Sequence, residues 1–306
     1  MGKVYAIGEI VYDIIFKNGQ PCRANIGGSV LNASVSLGRV NVPVGFVGET
    51  GNDVIGTEVL NFLQSNSIDT SYIQVYNENK STIALAFLNE NNDASYSFYK
   101  DYPTRRLTGT LPEPHKKDIL LFGSSFALHH DVRKALLNIL HKARENGALV
   151  IYDPNIRKQT EELNELLPLI KENISLSDIV RGSDEDFFHI LNSRNEDEIF
   201  SFVENSGCKS LIITKNKHNV FVKSFDYSEN FGVPEIIPVS TIGAGDNFNA
   251  GIIASLYNQE INKDSIETLN SAQWEKIIST GISFSSNVCC SLDNYISKSF
   301  ANNFKR

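Results

Sequence analysis

Short runs of consecutive apolar residues alternate along this chain with longer stretches whose apolar positions recur at helical spacing. An unbroken apolar run suits a strand buried on both faces, and helical spacing lays one apolar stripe on a helix that covers it. The runs predict strands at 4–8, 44–48, 119–123, 149–153, 177–181 and 211–214. The periodic stretches predict helices at 30–37, 54–64, 132–146, 161–173 and 244–257. In the third of these, Val132, Leu136, Leu137, Ile139 and Leu140 form the stripe, His129 and His130 mark the start, and Gly147 offers the stop. Strand and helix in alternation imply an α/β fold of three layers, α/β/α, with a mainly parallel central sheet.

Two stretches break the alternation. Residues 13–22 read as two strands around an Asn18-Gly19 turn, and residues 82–99 as two more around Asn91-Asn92. Four strands without helices cannot cover both faces of a central sheet, so they are expected to form a small β-sheet beside it, within 10–26 and 81–101. No composition shift, repeat or low-complexity linker marks a second domain, so residues 1–306 are expected to fold as one.

Composition narrows the range of partners. Lys and Arg number 28 against 36 Asp and Glu, a net charge of -8, and the basic residues are dispersed, which argues against a nucleic-acid partner. No apolar run approaches the ~20 residues of a membrane span, and the first residues lead directly into a strand, so a cytosolic protein without membrane contact is expected. Cysteines at 22, 208, 289 and 290 lack CxxC spacing and read as reduced, mostly buried thiols. The six histidines lack the HxxxH spacing of a metal site.

The stretch Thr241-Ile242-Gly243-Ala244-Gly245-Asp246 carries the chemistry. It follows the apolar residues Ile236, Ile237 and Val239, read as a strand, and leads into a helix. A glycine turn at that junction lets backbone N–H groups converge at the helix N-terminus, where they and the helix dipole favour a phosphate. Asp246, in the first helical turn, reads either as a charge worth ~1 kcal/mol to the helix end or as a base that takes a hydroxyl proton. A second glycine site, Gly27-Gly28, precedes the helix containing Asn32. Asp13 stands just past the first strand, where open α/β sheets place ligand groups. A short carboxylate and an amide beside glycines suit a polyhydroxylated ligand.

The two glycine sites together resemble those of the PfkB, or ribokinase-like, family of sugar and nucleoside kinases. The resemblance runs from Val4-Tyr5-Ala6-Ile7-Gly8-Glu9, through Gly27-Gly28, Asn32, Gly38 and the stretch from Gly48 to Gly56, to Gly243-Ala244-Gly245-Asp246 with Phe248 and Gly251, and on to Ser285-Ser286-Asn287. It implies transfer of phosphate from ATP, with Mg²⁺, to a sugar hydroxyl. Asp246 would be the base, the amides of Gly243, Ala244, Gly245 and Asp246 the anion hole, and Asp13, Gly27, Gly28 and Asn32 the sugar grip. The small sheet would be a lid whose edge could pair with a second subunit. Phe98, Tyr99 and Lys100 at its end would close over the ligand.

Asp153-Pro154-Asn155-Ile156-Arg157, with Gly8-Glu9 and Asp13, resembles the fructokinase and 2-keto-3-deoxygluconate kinase branch, in which Asn155 would bind the sugar and Arg157 would orient the sugar or a phosphate, the alternative for Arg157 being a surface salt bridge. The resemblance further places Ser183, Thr214, Lys215, Asn216 and Asn287 at the nucleotide and Asp186 indirectly at the metal, and it leaves a monovalent cation open. The chain departs from the family pattern at Ser240, where an Asp is usual, and at Ile242. It departs again at Ser183, which stands for Asn, and at Asn216 and Asn219, which stand for glycines. Asn tolerates left-handed backbone angles, so the turn at 216 is expected to form. A ketose kinase, fructokinase before 2-keto-3-deoxygluconate kinase, is the favoured expectation. The alternatives are a sugar sensor without turnover and, more weakly, a nicotinamide dehydrogenase, which would need GxGxxG after the first strand.

Overall fold

The computed structural model describes residues 2–89, 94–156 and 163–304. The first strand, β1 (Val4–Ile7), leads into the hairpin of β2 (Val11–Lys17) and β3 (Gln20–Gly27), which turns at Asn18 and Gly19. Then come α1 (Ser29–Arg39), β4 (Val44–Gly51), α2 (Val54–Ser65), β5 (Ile68–Asp69), β6 (Ile73–Tyr76), β7 (Ile83–Leu88) and β8 (Ala94–Tyr99). The middle of the chain forms β9 (Ile119–Gly123), α3 (His130–Glu145), β10 (Leu149–Asp153), α4 (Leu163–Ser175), β11 (Ile179–Ser183), α5 (Asp184–Leu191) and α6 (Glu196–Asn205). The last part forms β12 (Ser210–Lys215), β13 (Asn219–Ser224), β14 (Tyr227–Gly232), α7 (Ala244–Asn258), α8 (Ser271–Cys289) and α9 (Lys298–Asn303).

The large sheet runs β14-β13-β12-β11-β10-β9-β1-β4-β5, with β6 also on β4. It is parallel from β12 to β5, and β13 and β14 add an antiparallel edge. Alternate residues of each strand feed opposite layers, as the two-residue period requires. Val4, Ala6, Phe46, Leu121 and Ile151 pack with α1, α7 and α8, whereas Tyr5, Ile7, Phe122, Val150 and Tyr152 pack with α3 and its neighbours. The fold is therefore the expected three-layer α/β sandwich. After β1 the chain moves to β4 on one side and later returns through β9 to the other. The crevice outside the carboxyl ends of β1 and β9 is thus the switch point at which such sheets bind ligands.

The second sheet has the order β3-β2-β7-β8, with β2 and β7 parallel. Its registers align Asn25, Asp13, Ala84 and Phe98 in one row, so these four side chains share a face. The expected turn at Asn91-Asn92 lies outside the described residues.

Three expectations are corrected. The apolar stretch 236–239 is not a strand: Ile237 is 93% exposed, and Pro234 and Pro238 lack the N–H groups a ladder needs. The strand expected at 177–181 begins at Ile179, because Ser177 and Asp178 finish the preceding connection, Ser177 Oγ donating to the carbonyl of Asn173. The thiols divide evenly, with Cys208 and Cys289 buried and Cys22 and Cys290 exposed.

Candidate active site

Gly27 and Gly28 end β3 and lead into α1. Gly28 has φ 131°, and a Cβ there would lie 2.2 Å from the carbonyl oxygen of Glu9, so only glycine fits the close approach of this turn to the end of β1. A Cβ on Gly27 would lie 2.9 Å from Asp13 Oδ2 and 3.8 Å from Asn32 Oδ1. The bare backbone at Gly27 therefore opens a space lined by the carboxylate from β2 and the amide from α1. Asn32 Nδ2 donates to Asp246 Oδ2 at 2.8 Å, joining the N-terminal glycine site to the C-terminal one. Asn32 Oδ1 is buried without a hydrogen-bond partner.

Asp246 is 4% exposed and lies in the first turn of α7. The N-cap is Gly243, in the left-handed region with φ 78°, and no side chain caps this helix end. Asp246 remains in the first turn, where its charge favours the helix end, and its carboxylate also receives the amide of Asn32. Asn247 holds the turn through its Nδ2, which donates to the carbonyls of Gly243 at 2.7 Å and Asn294 at 2.8 Å. Ser240 accepts the N–H of Ile242 at 3.2 Å, a short side-chain turn that its hydroxyl can make as a carboxylate would. The segment before it is anchored by N–H bonds from Val239 and Ser240 to the carbonyl of Cys289. The geometry is a helix N-terminus with a buried carboxylate beside it, suited to an anionic group and a hydroxyl together, while the N–H of Ala244, expected in the anion hole, donates to the carbonyl of Thr241 at 3.2 Å.

Behind the cradle, Arg181 bridges Asp153 Oδ2 at 2.9 Å and Thr214 Oγ1 at 2.7 Å. Its Nη1 is 3.0 Å from the position a Cβ on Gly245 would take. Asn249 also donates to Asp153 Oδ2. Thr214 therefore turns its hydroxyl inward, toward the guanidinium. Asn155 adopts φ 44° and donates its N–H to Asp153 Oδ1 at 3.1 Å, a bond that fixes its own backbone turn. Arg157 lies outside the described residues.

Ser183 and Asp186 form a capping box on α5, the N–H of Ser183 donating to Asp186 Oδ2 at 2.7 Å and the N–H of Asp186 to Ser183 Oγ at 3.1 Å. Burial, followed by the charge of Asp153, pushes the Asp186 carboxyl above its usual range. Lys215, expected at the nucleotide, pairs with Glu196 at the start of α6, and Asn287 Oδ1 accepts the N–H of Ser297 at 2.9 Å. Lys100, expected over the ligand, donates to Glu9 Oε1 at 2.7 Å, where the hydroxyl of Tyr102 also donates at 2.6 Å. Asn216 adopts φ 48°, the left-handed turn expected of it. Phe98 is 54% exposed in the row of Asp13.

The sequence reading assigned no role to Arg181, Glu9 or Asn294. Arg181 and Asn294 lie outside any glycine pattern, and only the folded chain brings them to the site.

The model of the pfkB family carbohydrate kinases matches residues 1–274. The chain belongs to this family. Members are carbohydrate kinases, so this chain is a carbohydrate phosphotransferase, and the dehydrogenase alternative falls away. A fructokinase of Rhizobium leguminosarum bv. trifolii is 31% identical over 238 residues, 75% of this chain and 71% of that protein. The aminoimidazole riboside kinase of Salmonella enterica superposes with a TM-score of 0.84 at 21% identity, covering 99% of this chain and 98% of the other. The fructokinase of Vibrio cholerae O395, described with fructose, ADP and a calcium ion bound, superposes with a TM-score of 0.82 at 19% identity, covering 96% and 94%. These superpositions show that the pfkB kinase has the ribokinase-like fold.

Proposed function

We propose that this pfkB kinase phosphorylates a primary hydroxyl of a neutral ketose, with fructose the preferred substrate. The observation that carries the reading is the bond from Asn32 to Asp246, which sets the Asp13, Gly27 and Asn32 grip directly against the buried base. A sugar held by the grip presents a hydroxyl to Asp246. The carboxylate takes its proton as the oxygen attacks the γ-phosphorus in line, and ADP leaves. The amides of Gly243 and Gly245 and the N-terminal end of α7 hold the charge of the transferred group, and Ala244 supports the turn through its bond to the carbonyl of Thr241. Mg²⁺ enters with ATP as part of the substrate. Asp186 and Asp153 are engaged by Ser183 and Arg181, which supports an indirect contact of Asp186 with the metal. The small sheet acts as a lid, with Phe98 on the sugar side.

Charge favours a neutral sugar. An acid sugar needs a cation at its carboxylate. Among the described residues around the grip, Lys100 pairs with Glu9, Arg23 with Asp293, Arg106 with Glu49 and Arg181 with Asp153, while Arg157, outside them, remains available to a carboxylate. The test is kcat/KM at saturating MgATP for fructose, 2-keto-3-deoxygluconate and aminoimidazole riboside, with fructose expected first. A preference of tenfold or more for either of the others, about 1.4 kcal/mol, would overturn fructose while leaving phosphoryl transfer in place.

On its other face the lid carries Phe16 stacked on Phe87, whose ring is 43% exposed, beside Ile14 and Leu85. This face is the proposed contact of a homodimer, with a second copy covering it.

A further inference from the structure

Asn294 lies between α8 and α9, far along the chain from the hairpin that carries Asp13, yet its side chain ends beside that residue. Its Nδ2 is 3.6 Å from the position a Cβ on Gly27 would take, the same point from which Asp13 Oδ2 is 2.9 Å and Asn32 Oδ1 is 3.8 Å. Asn294 is a buried polar residue, and its side-chain amide makes no hydrogen bond among the described residues. Asn32 Oδ1, around the same space, is also without a partner. Polar groups are seldom left unsatisfied in a folded interior, so the orphaned Asn32 Oδ1, with the Asn294 amide facing the same opening, is in place for a ligand to satisfy.

The main chain of Asn294 has a separate task. Its carbonyl accepts Asn247 Nδ2 at 2.8 Å and lies 2.8 Å from the Cβ position of Gly243, so the backbone supports the cradle while the side chain faces the sugar grip. Changing the side chain leaves those backbone contacts in place.

We propose that Asn294 is a sugar-binding and specificity-determining residue, whose amide reads a hydroxyl that Asp13 and Asn32 leave uncovered. The inference rests on the ketose-kinase reading above. An amide offers both a donor and an acceptor, so it matches a hydroxyl in either sense and disfavours hydrogen at that place. It also carries no charge, so a further hydroxyl is recognised without adding to the negative charge of Asp13.

The test is steady-state kinetics of the wild type, Asn294→Ala and Asn294→Ser, using fructose and a set of fructose analogues each with one hydroxyl replaced by hydrogen. The sugar KM of Asn294→Ala should rise roughly three- to tenfold, the range of one neutral hydrogen bond, with the KM for MgATP and kcat changing less than about twofold. One analogue that the wild type disfavours by a similar factor should become nearly equivalent to fructose in the variant. Asn294→Ser, which keeps a hydroxyl, should fall between the two. An unchanged sugar KM in an active variant would overturn the role of Asn294 alone. A joint rise of the MgATP KM and fall of kcat would assign the residue to the cradle and overturn the proposal as well. A wild type inactive on every neutral sugar would remove the ketose reading, and this inference with it.

Discussion

At the scale of single residues, the site depends on how Asp246 is held. Its carboxylate receives the amide of Asn32 and lies beside a helix end that no side chain caps. Asp246→Asn keeps the shape but cannot accept a proton. The expected loss in kcat is ~10² to 10⁴-fold or more, with sugar and ATP binding retained by calorimetry. A variant with more than about a tenth of wild-type kcat would exclude Asp246 as the base. Sequence patterns exposed the glycines and Asp246 because such turns tolerate few residue types. They left Asn294 and Arg181 unmarked, since a lone polar residue becomes informative only when folding supplies its neighbours.

Among the elements, α2 and β7 meet through one carboxylate. Asp53 accepts the N–H of Gly56 at 2.8 Å, the N–H of Ser81 at 2.9 Å and the Ser81 hydroxyl at 2.7 Å. Burial alone would raise its pKa, but the bonds from Ser81 and Gly56 together outweigh burial and leave it below the usual range. A carboxyl that ionises more readily folded than unfolded stabilises the fold above the unfolded value of ~3.9, and the contribution fades as pH falls through the lower folded value. Asp53→Ala should cost about 1–2 kcal/mol at neutral pH. Thermal melts should show the gap to wild type narrowing below about pH 4; a constant gap would show that the carboxylate charge is not involved.

The elements also show where a pattern can mislead. Long apolar strands and the α3 stripe were legible because burial leaves little choice of residue. The run at 236–239 is equally apolar, but its prolines keep it out of the sheet. Ser183 and Asp186, which the resemblance places at the nucleotide and indirectly at the metal, also form a capping box, because the same short polar side chains suit both tasks. The helix α8 escaped because its many serines and Gly281 dilute its stripe.

For the molecule as a whole, the proposed dimer contact and the row of Asp13 lie on opposite faces of the smaller sheet. Phe87→Lys places a charge on its outer face, opposite the row of Asp13, and should convert a dimer to a monomer in light scattering. A wild type that is monomeric at micromolar concentrations would exclude this contact. The proposed sugar grip draws on distant parts of the chain: Asp13, Gly27 and Asn32 precede most strands of the large sheet and Asn294 follows them, with Arg23 of β3 paired to Asp293 beside it. During synthesis the strands of the large sheet all precede the segment that finishes the site. A nascent chain can therefore build most of its core while still unable to hold its substrate. On this proposal the sugar stabilises the protein fully only after residue 294 has emerged, so earlier folding depends on the packing of the sheet and helices.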